Sequence, residues 1–301
     1  MLTLGRWVMS TETTRSELQN QRVYSPSNSS TSKKLDGYSW KIGYGDGSSA
    51  YGDVYTDSVA IGNLSFFNQS VESAVSVSPA FTRDQISSGL LGLAMSSGNT
   101  VKPQRALTFF DNVYGSLREP LFTVNLEHGK EGAYNFGYID DSEYTGTIQY
   151  VPIFSNTLYW EFLATGYSIG KQPAAQMQAY RFSAIADTGT SLLLLPKQVL
   201  TDYYSQVEGA HFNAQQAAWV YPCTDTLPDF AFGIGSYRGV LPGSYIDYGV
   251  LPDQDQYCYG GIQSSEGLPF SIFGDILLKA QFVVFDLGGQ RLGFANKNIP
   301  Q

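Results

Sequence analysis

The sequence predicts a mostly β protein organised as two lobes, on three observations. Short alternating segments are separated at close intervals by Gly, Asp, Asn and Ser, the punctuation of strands and tight turns. Charged residues make up only 15% of the chain, while Gly (31), Tyr (21) and Phe (18) are abundant, a balance suited to pleated, half-buried surfaces. A length of 301 residues exceeds one ordinary core and fits two.

Taken in order, Tyr38 to Tyr44 alternates and then meets Gly45-Asp46-Gly47-Ser48, a strong hairpin signal. Tyr51 to Ile61 continues as the return strand, with Gly62-Asn63 as the next turn, and Val71 to Val77 reads as a further strand. Leu107 to Leu117 is the best helical segment of the first half, with Phe109, Phe110, Val113 and Leu117 on one face. Leu121 to Leu126 is again a strand. In the second half, the apolar strand Phe182 to Ala186 runs into Asp187-Thr188-Gly189-Thr190-Ser191 and then a run of four leucines. That arrangement puts a carboxylate in a tight, Gly-permitted turn beside a core. Lys197 to Val207 follows Pro196 as a helix, with Val199, Leu200, Tyr203 and Val207 at helical spacing.

Two segments echo each other. Ser88 to Ala94 and Phe270 to Leu278 both place a Gly after two bulky apolar residues and then return to apolar sequence. Each alone is an ordinary buried strand with a close-packed Gly. As a pair they suggest an internal duplication, with a first lobe over 1–152, a second over 153–301, and a shared interface.

Charge and composition narrow the function. A net charge of −9 excludes a nucleic-acid footprint, which needs clustered Lys and Arg. The acidity fits plain solubility and equally an acid-active secreted protein. No apolar run approaches the ~20 residues of a membrane span, so no membrane partner is expected. The apolar core of Met1 to Ser10 is too short for a signal peptide. Cys223 and Cys258 form either a disulfide or two free core thiols. With His128 and His211 far away in sequence, neither a metal nor another cofactor is expected. Asn28, Asn63 and Asn68 each open an Asn-x-Ser glycosylation pattern.

These features together resemble the pepsin-type aspartic endopeptidases, and among them the secreted fungal penicillopepsin- and aspergillopepsin-like group. Trp7-Val8-Met9-Ser10 is similar to the Trp-Val segment after that family's first catalytic loop. Tyr44-Gly45-Asp46-Gly47-Ser48 resembles its flap, and Asp187-Thr188-Gly189-Thr190 its second catalytic loop. Leu90-Leu91-Gly92-Leu93 and Ile272-Phe273-Gly274-Asp275 resemble the strands that cross beneath those loops. The resemblance runs from about Trp7 to Ala295. It implies a bilobal acid-protease fold with a cleft between β-rich lobes and a Cys223–Cys258 disulfide in the C-terminal lobe. Asp187 is then a catalytic carboxylate, with Tyr44, Gly45, Asp46, Gly189 and Thr190 binding substrate. The Tyr44 phenol is expected to hydrogen-bond near Trp7, although a Tyr pairing across a hairpin strand is the plainer reading. Asp46 either admits a Lys beside the scissile bond or simply favours the turn. Peptides or denatured proteins are the implied substrates, pepstatin-like compounds the implied inhibitors, and a secreted monomer the implied form.

The family's chemistry uses two carboxylates that share a proton, because close like charges cannot both ionise. One acts as base toward a water and the other donates to the developing oxyanion. Only one Asp-Thr-Gly occurs among the 301 residues. Counting back from Trp7 puts the family's first catalytic Asp ahead of Met1. The expectation is therefore a chain whose N-terminal strands are truncated and which is inactive as written. Asp46, Asp53, Asp57 and Asp84 are substitutes by charge alone. A peptide-binding protein without catalysis, or a destabilised fragment, are the other readings of the same absence.

Overall fold

The computed structural model describes residues 6–14, 18–170, 176–252 and 254–299. The segment ahead of residue 6, on which the expected truncation rests, lies outside the described residues. The chain divides into two compact units, one through Leu117 and the other from Arg118 onward.

The first unit is a five-stranded sheet. β1 (Arg6–Met9) lies between β4 (Leu64–Val77), which it pairs in parallel, and β5 (Gly89–Leu91), which it pairs antiparallel. β2 (Lys33–Gly43), β3 (Ser49–Ile61) and β4 form an antiparallel meander. The alternation read from Tyr38 onward decides which face is buried: Trp40 and Ile42 point into the core, while Ser39 and Lys41 are exposed. Their core partners are Trp7, Met9, Ala50, Val54, Ala74, Val77 and Val101.

Register shifts between β3 and β4 at Tyr51/Gly52 and Asp57/Val59 let these long strands coil. Gly52 is required at the first, since a Cβ there would stand 1.9 Å from the Ser73 carbonyl oxygen. The helix expected over Leu107 to Leu117 is shorter, Phe109–Val113, followed by a 3₁₀ turn over Tyr114–Ser116. The Thr108 side chain accepts from the Asp111 amide and fixes the start there. Leu107 is left outside and exposed. Phe109, Phe110 and Val113 are buried as their spacing predicts.

The second unit holds three sheets. One contains β7 (Ala133–Phe136), β6 (Leu121–Asn125), β20 (Gln281–Asp286), β21 (Arg291–Asn296) and β8 (Thr145–Pro152), in that order. A seven-stranded sheet runs β15 (Tyr237–Leu241), β14 (Phe230–Ile234), β9 (Glu161–Ile169), β10 (Gln178–Ala186), β19 (Ser271–Phe273), β11 (Leu193–Leu195) and β18 (Ile262–Ser264). The third is β12 (His211–Asn213), β13 (Ala218–Pro222), β17 (Gln254–Gly260) and β16 (Asp247–Leu251).

β6 and β20 are fully buried strands, carrying Leu121, Phe122, Val124 and Phe282 to Phe285. The helix Lys197–Tyr204 begins after Pro196 and buries Val199, Leu200, Tyr203 and Tyr204. Val207 is buried just past its end. The two echoed segments diverge after their Gly. β5 ends at Leu91 as a sheet edge, whereas β19 lies between two strands and leads through Gly274 into the short helix Asp275–Leu278. Residues 118–152 join the second unit because β6, β7 and β8 are hydrogen-bonded to one another or to the C-terminal pair β20–β21. The lobe boundary expected at 152/153 follows the sequence echo instead.

Candidate active site

Asp187 begins the loop that leaves the centre of the seven-stranded sheet. β10 delivers it from the buried run Ala184, Ile185 and Ala186, paired in parallel with Ser271, Ile272 and Phe273 of β19. The Asp187 amide continues that ladder by donating to the Phe273 carbonyl at 3.0 Å. Both carboxylate oxygens are held from within the loop. Oδ1 accepts from the Gly189 amide at 2.9 Å, and Oδ2 accepts from the Thr190 hydroxyl at 2.7 Å. Two donors, one on each oxygen, fix the plane of the carboxylate. Tyr134 of β7 hydrogen-bonds the Thr188 side chain, which ties the loop to the neighbouring sheet.

The far side of the loop rests on the start of the Asp275–Leu278 helix. The Asp275 amide donates to the Thr190 carbonyl at 2.8 Å and the Ile276 amide to the Ser191 carbonyl at 3.0 Å. Contact this close needs a glycine between them. A Cβ on Gly274 would lie 2.2 Å from the carbonyl oxygens of both Thr190 and Leu192. The loop also borders a cavity of about 250 Å³, lined among others by Ser191, Asp275, Lys279, His128 and Tyr245. The His128 ring stacks on Tyr245 with centroids 4.7 Å apart. Burial pushes the Asp275 carboxyl up to about 6, opposed by Lys279 and reinforced by the Asp187 charge. Its Oδ1 has no hydrogen-bond partner among the described residues.

In the first unit, the turn between β2 and β3 is closed by Tyr44 and Ser48, whose amide and carbonyl bond at 2.9 Å. Asp46 Oδ1 accepts from both the amide and the hydroxyl of Ser48, at 2.9 and 2.6 Å. Those bonds hold its carboxyl below the usual range, so its turn-forming role is plainly present. Gly47 has φ +82°, which only glycine adopts without strain. Gly45 is exposed.

Tyr44 folds back onto β1, where the Trp7 indole N–H donates to its phenol oxygen at 2.7 Å. Burial pushes that phenol well above its ordinary value, with the indole donor pulling the other way. Phe81 meets Trp7 and Tyr44 edge-on, at centroid distances of 4.8 and 5.5 Å. The result is a three-ring wall beneath the turn.

Both the Asp187 loop and the Tyr44 hairpin fall within the stretch that a known family matches. The family model described as eukaryotic aspartyl protease covers residues 5–297. The chain belongs to the eukaryotic aspartyl protease family. It is 49% identical to endothiapepsin of Cryphonectria parasitica over 292 residues, which is 97% of this chain and 69% of that protein. It is 50% identical to penicillopepsin-2 of Penicillium janthinellum over 289 residues, covering 96% and 72%. Aspergillopepsin-1 of Aspergillus clavatus matches at the same 50%, over 96% of this chain and 72% of its own length.

In this aspartyl protease the two cysteines are joined. Cys223, just past β13, is disulfide-bonded to Cys258 of β17. The acids that the sequence offers as substitutes by charge are each engaged locally, Asp46 by Ser48 as described. Asp53 pairs with Lys34 at 2.5 Å, Asp84 caps the Ile86 amide, and buried Asp57 accepts from Tyr24, Ser29 and Thr31. Asn28, Asn63 and Asn68 are all exposed.

Phe81, His128, Tyr134 and Asp275 carry no site signal of their own in the sequence. Phe81 lies in a short helix, Pro79–Arg83, with no motif, and its contact with Trp7 joins that helix to β1, far away in the sequence. Asp275 follows Gly274 in a quoted motif, but its burial is a tertiary fact. No helix of the described residues is long and apolar enough to cross a membrane.

Proposed function

We propose that this chain carries the peptide-binding and half of the hydrolytic apparatus of an aspartic-type endopeptidase acting at acid pH. The observation that carries this reading is the Asp187 carboxylate, fixed at both oxygens by Gly189 and Thr190 at the end of a buried strand. In that role Asp187 activates or protonates across a bound water, while Gly189 and Thr190 keep it oriented for a peptide carbonyl. Tyr44, Gly45 and Asp46 contact the substrate from the hairpin, with Trp7 and Phe81 as an apolar wall. The lobes serving these roles are 1–152 and 153–301. The substrates are peptides or denatured proteins, pepstatin-like compounds bind the same groups, and the working location is extracellular, as a monomer. The three exposed Asn-x-Ser sites suit glycosylation there.

A single Asp-Thr-Gly among 301 residues favours a second reading for the polypeptide of this length: it binds peptides without turning them over. On that reading the sequence offers no second Asp-Thr-Gly to divide the roles of acid and base with Asp187. General acid–base assistance is worth typically ~10²–10⁴-fold, and losing it leaves only binding.

The experiment is hydrolysis of a denatured protein at acid pH by the 301-residue polypeptide, with and without pepstatin, beside pepstatin binding by calorimetry. Binding without turnover is expected. Pepstatin-sensitive cleavage would refute the claim of inactivity, and absence of both would refute the site.

A further inference from the structure

The first unit has a concave feature that neither the Asp187 loop nor the Tyr44 hairpin uses. It is a pocket of about 420 Å³ lined by Ser39, Trp40, Lys41, Asn99, Thr100, Lys102 and Arg105, with Gly98 at its edge. That volume falls in the range of small-ligand sites. Three of these side chains are cationic and none is acidic. The clustering is marked in a chain with 18 basic against 27 acidic residues. No acidic group of the described residues forms an ion pair with Lys41, Lys102 or Arg105.

The frame under the three cations is fixed. Ser39 on β2 and Lys102 in the loop ahead of the Phe109–Val113 helix exchange both backbone hydrogen bonds, at 3.0 and 2.8 Å. Buried Asn99 pins that loop, its Oδ1 accepting from the amides of Val101 and Ala106, each at 3.0 Å. The Asn99 amide group donates in turn to Glu72 at 2.8 Å, a carboxylate buried beneath the loop and already engaged. The cations therefore stand on a rigid strand-loop junction, with flexible stems and exposed heads. Holding three like charges together costs Coulomb energy that an anion between them reverses. The Thr100 hydroxyl is buried with no partner among the described residues, and rotation about χ1 toward the pocket would let it donate to such an anion.

We propose that this pocket binds a tetrahedral oxyanion, phosphate or sulfate, free or carried as an ester. Arg105 supplies the planar fork suited to two oxygens at once, and the two lysines supply point charges. The volume exceeds a bare anion, leaving room for an organic arm against the Trp40 and Gly98 side.

The test compares inorganic phosphate, sulfate and O-phosphoserine with chloride at equal ionic strength. Thermal shift and calorimetry on the 301-residue chain are the readouts. Phosphate or sulfate should raise the melting temperature above chloride. Each of Lys41→Gln, Lys102→Gln and Arg105→Gln should weaken binding about tenfold or more, and the triple variant should abolish it. Lys130→Gln, exposed in the other unit, should change nothing. Tighter binding of O-phosphoserine than of phosphate assigns the site to esters, and the reverse to the free anion. Equal stabilities in all three salts, or an anion effect that survives the triple variant, would overturn the proposal. The single variants remove only exposed side chains, so the comparison stands even if the triple variant fails to fold.

Discussion

Gly274 and Asp275 set the shape and charge of the Asp187 loop, and each makes a prediction of its own. A methyl group on Gly274 meets two backbone carbonyls at 2.2 Å, and backbone cannot step aside as a side-chain tip can. Gly274→Ala should therefore destabilise the second unit by about 3 kcal/mol or more, read by urea unfolding, while Gly45→Ala in open space serves as the mild control. Asp275 is held near 6 against an ordinary 3.8, chiefly by burial. The folded chain thus keeps this proton more tightly than the unfolded one. Its contribution is complete below 3.8 and is lost as pH rises through about 6. Relative to wild type, Asp275→Asn should gain about 2 kcal/mol between those limits, after discounting for partial exposure. Parallel stability curves for the two proteins would remove Asp275 from this account.

Among the elements, alternation and turn chemistry made the β2–β3 hairpin legible down to its turn residues, because a one-residue slip would turn Trp40 and Ile42 outward. The Lys197–Tyr204 helix was legible for the same reason, its apolar spacing and Pro196 start being local signals. The Leu107–Leu117 helix was legible in its buried face but not in its ends. A side-chain cap at Thr108 decided the first boundary, and a 3₁₀ turn beginning at Tyr114 the second. The pairing of Cys223 with Cys258 crosses the β13–β17 ladder and closes a 35-residue separation. Replacing both by Ser should cost about 2–4 kcal/mol by the chain-entropy account, and chemical denaturation with and without reductant measures it. An unchanged midpoint would mean that the ladder alone holds these strands.

For the whole molecule, the position of the fold boundary is a contact question. Residues 118–152 carry β6, β7 and β8, three strands of the five-stranded sheet completed by β20 and β21. A polypeptide of 118–301 is therefore expected to unfold cooperatively. One of 153–301 should expose the edges of β20 and β21 and aggregate or melt earlier. Equal melting of the two would show that the three strands add nothing to the unit. The lobes read from the sequence echo and the units read from contacts answer different questions, one about duplication and the other about shared hydrogen bonds.

By itself the sequence determined the β-rich class, the Tyr44 hairpin, the Asp187-Thr188-Gly189 loop and membership of a protease family. The first three rest on local spacing and turn chemistry, which the neighbouring residues alone impose, and the last on the resemblance of motifs spread along the chain. Tertiary structure decided what lies opposite those residues. It brought Phe81 to Trp7, Gly274 against the Thr190 and Leu192 carbonyls, Asp275 into a partly buried setting, and Lys41 beside Lys102 and Arg105. Each of these joins segments far apart in the chain, and packing and burial, unlike propensity, cannot be read from a residue's own neighbours.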